Sequence, residues 1–304
     1  MKLIADIGNY STITALEGKE PLLIRAVEAD ITVKSVMSKN TDESPTVLCE
    51  GRKLILGEYA TKQKNAQTIV EQGKHNPDVI KPYLFAGLRE NFQGSISYLV
   101  PHRDKWQEDG LRSKLINTHE IAVNGKFYKH TVTDIQFYLE SDVAVEAAFI
   151  TKEIPDDGDC LAIDIGGGTT NFLIMTPDGD VLHRNSFPDV GGVSLANDII
   201  NSDLMKSQKY AFKVPKIMDA IADGTFRYGR NYDFFPVFKP LLDNWFNRLV
   251  DQIMLDSRDY LSDVATVMFI GGNAELLRDR IQNQDGYYIP QNPQYSNIEA
   301  LIGG

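Results

Sequence analysis

The sequence predicts an α/β protein built from two related halves, and three observations predict it. Residues 161–175, L-A-I-D-I-G-G-G-T-T-N-F-L-I-M, read as a strand, a glycine-rich turn and a second strand. The amino terminus repeats the pattern: residues 3–16, L-I-A-D-I-G-N-Y-S-T-I-T-A-L, align Asp6 with Asp164 and Gly8 with Gly166. After each hairpin, helical and extended segments alternate, which favours mixed sheets flanked by helices over a β-sandwich or a helix bundle. Two copies of one phosphate-sized turn imply two related domains around a cleft, residues 1–150 and 151–304.

Composition narrows the functional classes. The 304 residues suffice for two ordinary domains, and 42% hydrophobic with 24% charged residues is usual for a soluble globular chain. A net charge of −11 argues against a general binder of phosphate backbones, so no direct nucleic-acid contact is expected. No run approaches the roughly 18 apolar residues of a membrane span, and the start M-K-L-I-A-D turns acidic too early for a signal peptide. Cys49 and Cys160 each flank an apolar run and read as reduced packing residues. The expected setting is cytoplasmic, with no membrane partner.

In the first half, after the hairpin at Gly8-Asn9, short extended pieces are expected at Leu22–Ile24, Thr46–Leu48 and Lys53–Leu56. Residues 58–88 are rich in Ala, Gln, Lys and Glu and read as helical, broken at Gly73 and Pro77. A strand at Ile96–Val100 precedes an amphipathic helix over 103–117 with a turn near Gly110. Asn124-Gly125 between two extended runs marks a type I′ hairpin, because both central residues of that turn need positive φ. A strand at Thr131–Leu139 runs into Glu140 and a helix that Ser141 or Asp142 can cap.

The second half adds a third strand at 181–187 and a helix opened by Gly191-Gly192. Residues 201–236 form a short, broken, aromatic segment. A long amphipathic helix carries Phe238, Leu241, Leu242, Trp245, Leu249, Ile253 and Met254, a stripe read as core. The continuous apolar run V-A-T-V-M-F-I reads as a strand buried on both faces. It ends in Gly271-Gly272-Asn273 before the helix A-E-L-L-R-D-R-I. A last helix starts with Asn292 as cap and Pro293 at its first position, and stops at Gly303.

A strand ending in an acid and a glycine turn suits a nucleotide. Glycine lets backbone N–H groups approach phosphate oxygens, and successive N–H groups make an anion-binding concavity. The acid tolerates phosphate if a cation lies between them, and Mg²⁺ binds through one or two carboxylates and retained water. Asp6 and Asp164 are therefore expected as metal ligands through water, with Ser11, Thr169 and Thr170 donating to phosphates. Neither commoner glycine motif is present, since the turn reopens as a strand and lacks a lysine. Gly271-Gly272 is a candidate for close approach to a base or ribose.

These motifs, in this order and over nearly the whole chain, resemble the actin-like ATPase superfamily. D-I-G-N-Y-S resembles its first phosphate loop, D-I-G-G-G-T-T-N its second, and V-M-F-I-G-G-N-A its adenosine motif. E-S-D-V-A-V-E-A-A and N-P-Q-Y-S-N-I-E-A-L-I-G resemble its connecting helices. Within it, the terminal segment, V-G-G-V-S-L-A-N-D and the compact length are most similar to bacterial plasmid-partitioning actins of the ParM type. The resemblance implies ATP or GTP with Mg²⁺ held by Asp6, Gly8, Asn9, Tyr10, Ser11, Gly166, Gly167, Gly168, Thr169, Thr170, Gly192, Gly271, Gly272 and Asn273.

It further implies Asp164 as the acid that orients the metal and the attacking water, and Glu140 as the second water-activating group. Glu146 is a competing candidate, placed further into the helix. The implied protein is a bacterial cytoplasmic polymer of itself, coupled to DNA through a DNA-binding adaptor. Tyr10-Ser11-Thr12 stands where many relatives carry a basic residue, and 201–236 implies a reduced outer subdomain. A small-molecule kinase or a non-hydrolysing nucleotide-binding adaptor of the same fold are the alternatives.

Overall fold

The computed structural model describes residues 1–33, 40–73, 76–281 and 283–303. The chain divides into two compact units, Met1–Ala147 with Tyr295–Gly304, and Ala148–Gln294. The last ten residues thus return to the first unit, whereas a division at residue 150 puts them in the second.

The strands of the first unit are β1 (Lys2–Ile7), β2 (Ser11–Leu16), β3 (Leu22–Arg25), β4 (Val27–Asp30), β5 (Thr46–Cys49), β6 (Arg52–Leu56), β7 (Ala66–Thr68), β8 (Phe92–Val100), β9 (Thr118–Val123) and β10 (Lys126–Leu139). They form one mixed sheet in the order β3-β2-β1-β8-β10-β9-β5-β6-β4-β7. The helices are α1 (Ile69–Gln72), α2 (Pro77–Ala86), α3 (Lys105–Leu115) and α4 (Asp142–Ile150), within which the division falls. Leu3, Ala5, Ile7, Tyr83, Leu84, Phe85, Ile96 and Ile135 share the main core, while Ile298 and Leu301 of the terminal helix Ser296–Gly303 pack with Ile4, Ile13 and Leu99.

Three departures from the sequence reading have local causes. Residues 58–88 are not one helical stretch: a 3₁₀ turn Gly57–Lys62 and β7 precede α1 and α2, and residues 74 and 75 lie outside the described residues. There, Ala29↔Ala66 and Val27↔Thr68 pairing outweighs helix propensity. Helix α3 runs through Gly110 without a break, anchored by the Asp104 side chain, which accepts from Gln107 N at 3.1 Å, and by buried Leu111 and Leu115. Strand β10 begins at Lys126, because the Asn124-Gly125 turn (φ 52° and 83°) leads straight into it; it pairs first with β9 and then with β8.

The second unit holds β11 (Asp159–Ile165), β12 (Thr169–Met175), β13 (Val181–Pro188), β14 (Arg227–Tyr228), β15 (Tyr232–Asp233), β16 (Val264–Ile270) and β17 (Tyr287–Tyr288). Its sheet order is β13-β12-β11-β16-β17, with β14-β15 as a separate hairpin. Every residue of β11 is buried, as its apolar run requires. The helices are α5 (Gly192–Asn201), α6 (Asp203–Lys206), α7 (Val214–Ala222), α8 (Phe235–Ser257) and α9 (Arg278–Ile281). The A-E-L-L-R-D-R-I segment is divided, its first turn being 3₁₀. Phe238, Trp245, Leu249 and Ile253 of α8 are buried, as the apolar stripe predicts, but Met254, read as part of that stripe, is exposed.

The internal repeat is visible in the registers. Asp6 pairs with Ile13 and, across the parallel neighbour, with Leu99; Asp164 pairs with Asn171 and Ile270 in the same way. Strands β3-β2-β1-β8-β10 therefore match β13-β12-β11-β16-β17, and the two hairpins occupy the same place in the two sheets.

Candidate functional site

In the second unit, Asp164 and Ile165 end β11, and Gly166 N–H donates to Thr169 O at 2.9 Å to close the turn. The carbonyls of the turn are captured from behind. Gly192 N and Val193 N, the first amides of α5, donate to Gly166 O at 3.1 Å and Gly167 O at 2.8 Å. Asn273 Nδ2 donates to the same Gly166 O at 2.8 Å, and Asn273 N to Ile165 O at 3.1 Å.

In a trans peptide the C=O of one residue and the N–H of the next point in opposite directions, and there are no cis peptide bonds. With the Gly166 and Gly167 carbonyls turned to α5 and Asn273, the N–H groups of Gly167 and Gly168 face the other way. Two consecutive amides so aligned form an anion-binding concavity.

Glycine is what allows the close approach. A Cβ on Gly191 would lie 2.5 Å from Gly166 O and Gly167 O, and one on Gly192 would lie 2.3 Å from Asn273 Oδ1. Gly271 adopts φ 87°, its N–H donates to Pro293 O at 2.8 Å, and a Cβ there would meet Asp164 Oδ1 at 2.3 Å. The structure therefore brings Asp164, Gly166, Gly167, Gly168, Gly192, Gly271 and Asn273 into one assembly. Gly272 lies beside Gln294, and Thr169 is half-buried at the turn. Thr170 is fully buried, and its hydroxyl donates inward to Val190 O at 3.3 Å.

The first unit gathers Asp6, Gly8, Asn9, Tyr10, Ser11 and Glu140. Gly8 N donates to Ser11 O at 3.0 Å, and Tyr10 O accepts from Ala26 N at 2.9 Å. Asp6 ends β1 beside β8; Glu140 follows β10 on the other side of β8, and its N–H donates to Val100 O at 2.9 Å. Buried Tyr98 of β8 has its hydroxyl pKa raised by burial first and then by the carboxylates of Asp6 and Glu140. The two acids therefore lie within electrostatic reach of Tyr98, at the ends of the strands on either side of β8. The turn after Glu140, with Ser141 at φ 69°, is pinned by Ser141 N donating to Asn297 Oδ1 at 2.9 Å. Glu146 is exposed on α4, and partial desolvation of its carboxyl, followed by the nearby Asp142, raises its pKa.

Sequence reasoning missed Tyr98 and Arg25. The Arg25 guanidinium lies 4.9 Å from the centroid of the Tyr10 ring and pairs with Glu58 at 2.8 Å. It reaches the turn through the Ser11↔Arg25 pairing of β2 with β3, which motif spacing does not reveal. Among the described residues no three His, Cys, Asp or Glu side chains converge on a metal position. Single carboxylates at the turns fit Mg²⁺, which takes few protein ligands and keeps water.

Fold comparison assigns the class: the chain has the actin-like ATPase fold, as the motifs led us to expect. Residues 162–283 match the family model for the archaeal actin homologue MreB-like, C-terminal. The crystal structure of Ta0583, an archaeal actin homologue in complex with ADP, aligns with TM-score 0.79 and 16% identity over 99% of this chain and 98% of that one. A non-polymerisable quadruple mutant of pCBH ParM gives TM-score 0.80 at 15% identity over 99% and 98%. A 15-stranded ParM filament from Clostridium botulinum gives 0.77 at 13% over 99% and 97%. No curated protein matches the sequence. Among the described residues no helix is long and apolar enough to cross a membrane.

Proposed function

We propose that the chain is a nucleotide-dependent actin-like ATPase that polymerises into dynamic filaments. In this reading the filaments segregate plasmid DNA in the bacterial cytoplasm through a DNA-binding adaptor. The observation that carries the reading is the braced turn of the second unit, whose Gly167 and Gly168 amides are aligned for a phosphate beside Asp164. The ADP held by the archaeal homologue and the filament of the clostridial ParM support it.

Asp164 orients the attacking water, and Glu140 is the second group that activates it. Phosphoryl transfer asks mainly for geometry and charge stabilisation, so two positioned carboxylates suffice for that task. Asp6 and Asp164 would hold Mg²⁺ through water, and the ion would neutralise phosphate charge. The Gly8–Ser11 and Gly166–Thr169 turns hold phosphates, and Gly271–Gly272 approaches the base or ribose.

Light scattering with ATP, with GTP and with a non-hydrolysable analogue tests this. The triphosphate should give a rise followed by decay as phosphate is released, and the analogue a rise without decay. Phosphate release without any rise at high micromolar protein would point to a non-polymerising enzyme of the same fold. No nucleotide binding would overturn both.

A further inference from the structure

We propose that Asn273 is a positioning residue that locks the phosphate turn of the second unit in its anion-facing form and ties it to the Gly271–Gly272 turn. The inference rests on the nucleotide-binding reading above and names how that site is controlled.

Gly166 O takes two donors, Gly192 N at 3.1 Å and Asn273 Nδ2 at 2.8 Å. Rotating the Gly166–Gly167 peptide would break both bonds and swing the Gly167 N–H inward, so these bonds hold the amide outward. Asn273 is also bonded through its own N–H to Ile165 O, the residue after Asp164. Two residues before it, Gly271 leaves no room for a side chain, since a Cβ there would lie 2.3 Å from Asp164 Oδ1. A ligand that shifts Gly271 and Gly272 therefore moves the brace of the phosphate turn and the wall of Asp164 together. The expected consequence is that occupancy of the Gly-Gly turn sets the geometry in which hydrolysis occurs.

The geometry also supplies a partner for the test. A methyl on Gly192 would collide with the Asn273 carboxamide, at 2.3 Å from Oδ1, so Gly192→Ala should displace the same brace. Asn273→Asp keeps the side-chain volume, loses the donor and sets a carboxylate against two carbonyls. Asn273→Ala leaves Gly166 O to Gly192 alone.

Phosphate release with ATP and GTP should show kcat reduced roughly tenfold or more in Asn273→Ala, Asn273→Asp and Gly192→Ala, because small misplacements of reacting groups cost at least that. ADP affinity should fall severalfold or more in the same variants, because the Gly167 amide that the brace holds outward is itself the phosphate contact. The double variant Gly192→Ala, Asn273→Ala should be no worse than the poorer single variant, because the methyl takes the space the carboxamide vacates. Normal kcat in Asn273→Asp, multiplying losses in the double variant, or unchanged ADP affinity in all three single variants would each overturn the proposal. If the unsubstituted protein neither binds nor hydrolyses nucleotide, the functional reading fails. Amide exchange at Gly192 and Val193 then decides the brace alone: faster exchange in Asn273→Ala upholds it, and unchanged exchange overturns it.

Discussion

In the turn of the first unit, Gly8 N donates to Ser11 O at 3.0 Å, and in that of the second, Gly166 N donates to Thr169 O at 2.9 Å. Both follow a strand whose penultimate residue is aspartate, and both lie beside a parallel strand in the same register. What surrounds them differs. The second turn has its carbonyls held by two amides of α5 and by Asn273. The first has the Tyr10 carbonyl on Ala26 and the Tyr10 ring under Arg25. The register sets Val100, Pro101 and His102 in the places of Gly271, Gly272 and Asn273, so the first unit has no asparagine at the bracing position. The repeat supplies the frame, and the difference in how the turns are held comes from the residues that are not repeated.

The sharpest way to break this comparison is to remove the acids. Asp164→Ala and Glu140→Ala should lower phosphate release by roughly 10²–10⁴-fold, the usual worth of a group positioned to move a proton. Assembly should remain and the filaments should persist, read by light scattering. Asp6→Ala, assigned only to the metal, should lose less and recover partly with added Mg²⁺. Equal losses at Asp6 and Asp164 would make the two turns equivalent and remove the asymmetry.

Gly271→Ala follows in size. Its φ of 87° disfavours any Cβ by about 1–2 kcal/mol, and the contact with Asp164 Oδ1 at 2.3 Å adds overpacking of about 1–3 kcal/mol. Urea unfolding should show a loss of about 2–5 kcal/mol, and calorimetry should show weakened ADP binding.

The fold was legible because the repeat is local: apolar strand, acid, glycine and hydroxyl stand next to one another in both halves. The Asn124-Gly125 hairpin was legible for the same reason. The assembly of the second site was only half legible. Gly271-Gly272-Asn273 stood out as a strand-to-helix turn, but its hydrogen bonds to Ile165 and Gly166 join segments more than a hundred residues apart. Arg25 and Tyr98 depend on strand register, and Thr170 looked like a phosphate donor because its partner Val190 lies across a loop. The helical reading of 58–88 failed where propensity met pairing with β4.

The two units also differ in how they hold a histidine. His130 of the first is fully buried, stacks on Phe85 at 4.8 Å and, among the described residues, has no hydrogen-bond partner for either ring nitrogen. Burial, with His119 opposite on β9, lowers its pKa from 6.5 to about 4. The folded state therefore binds this proton less readily than the unfolded chain. Stability from this group is complete above pH 6.5 and falls as pH drops from 6.5 to 4, by about 3 kcal/mol in all. In the second unit, His183 Nε2 instead lies 2.7 Å from Asp256 Oδ2, and its hydrogen bond lowers that carboxyl below 3.8. That contribution is lost only at more acid pH, as Asp256 protonates. Urea midpoints across pH 4–7 should show the slope, and His130→Leu should flatten it. An unchanged slope would place the titrating group elsewhere.

The smallest effect is the control for Gly271. Gly125, in the Asn124-Gly125 turn, has nearly the same dihedral, φ 83°, yet nothing lies within 4 Å of where its Cβ would be. Gly125→Ala should therefore cost about 1–2 kcal/mol, the backbone strain alone. Phosphate release should not change, because this β9–β10 turn is bonded to β5, through Asn124 N to Thr46 O at 2.8 Å and Thr46 N to Asn124 Oδ1 at 2.9 Å, and not to the Gly8 turn. Subtracting its loss in urea unfolding from that of Gly271→Ala isolates the packing against Asp164. A difference near zero would mean that Gly271 is glycine only for its dihedral. A difference of about 1–3 kcal/mol, accompanied by a fall in ADP affinity at Gly271 alone, would show that the missing side chain makes room for Asp164.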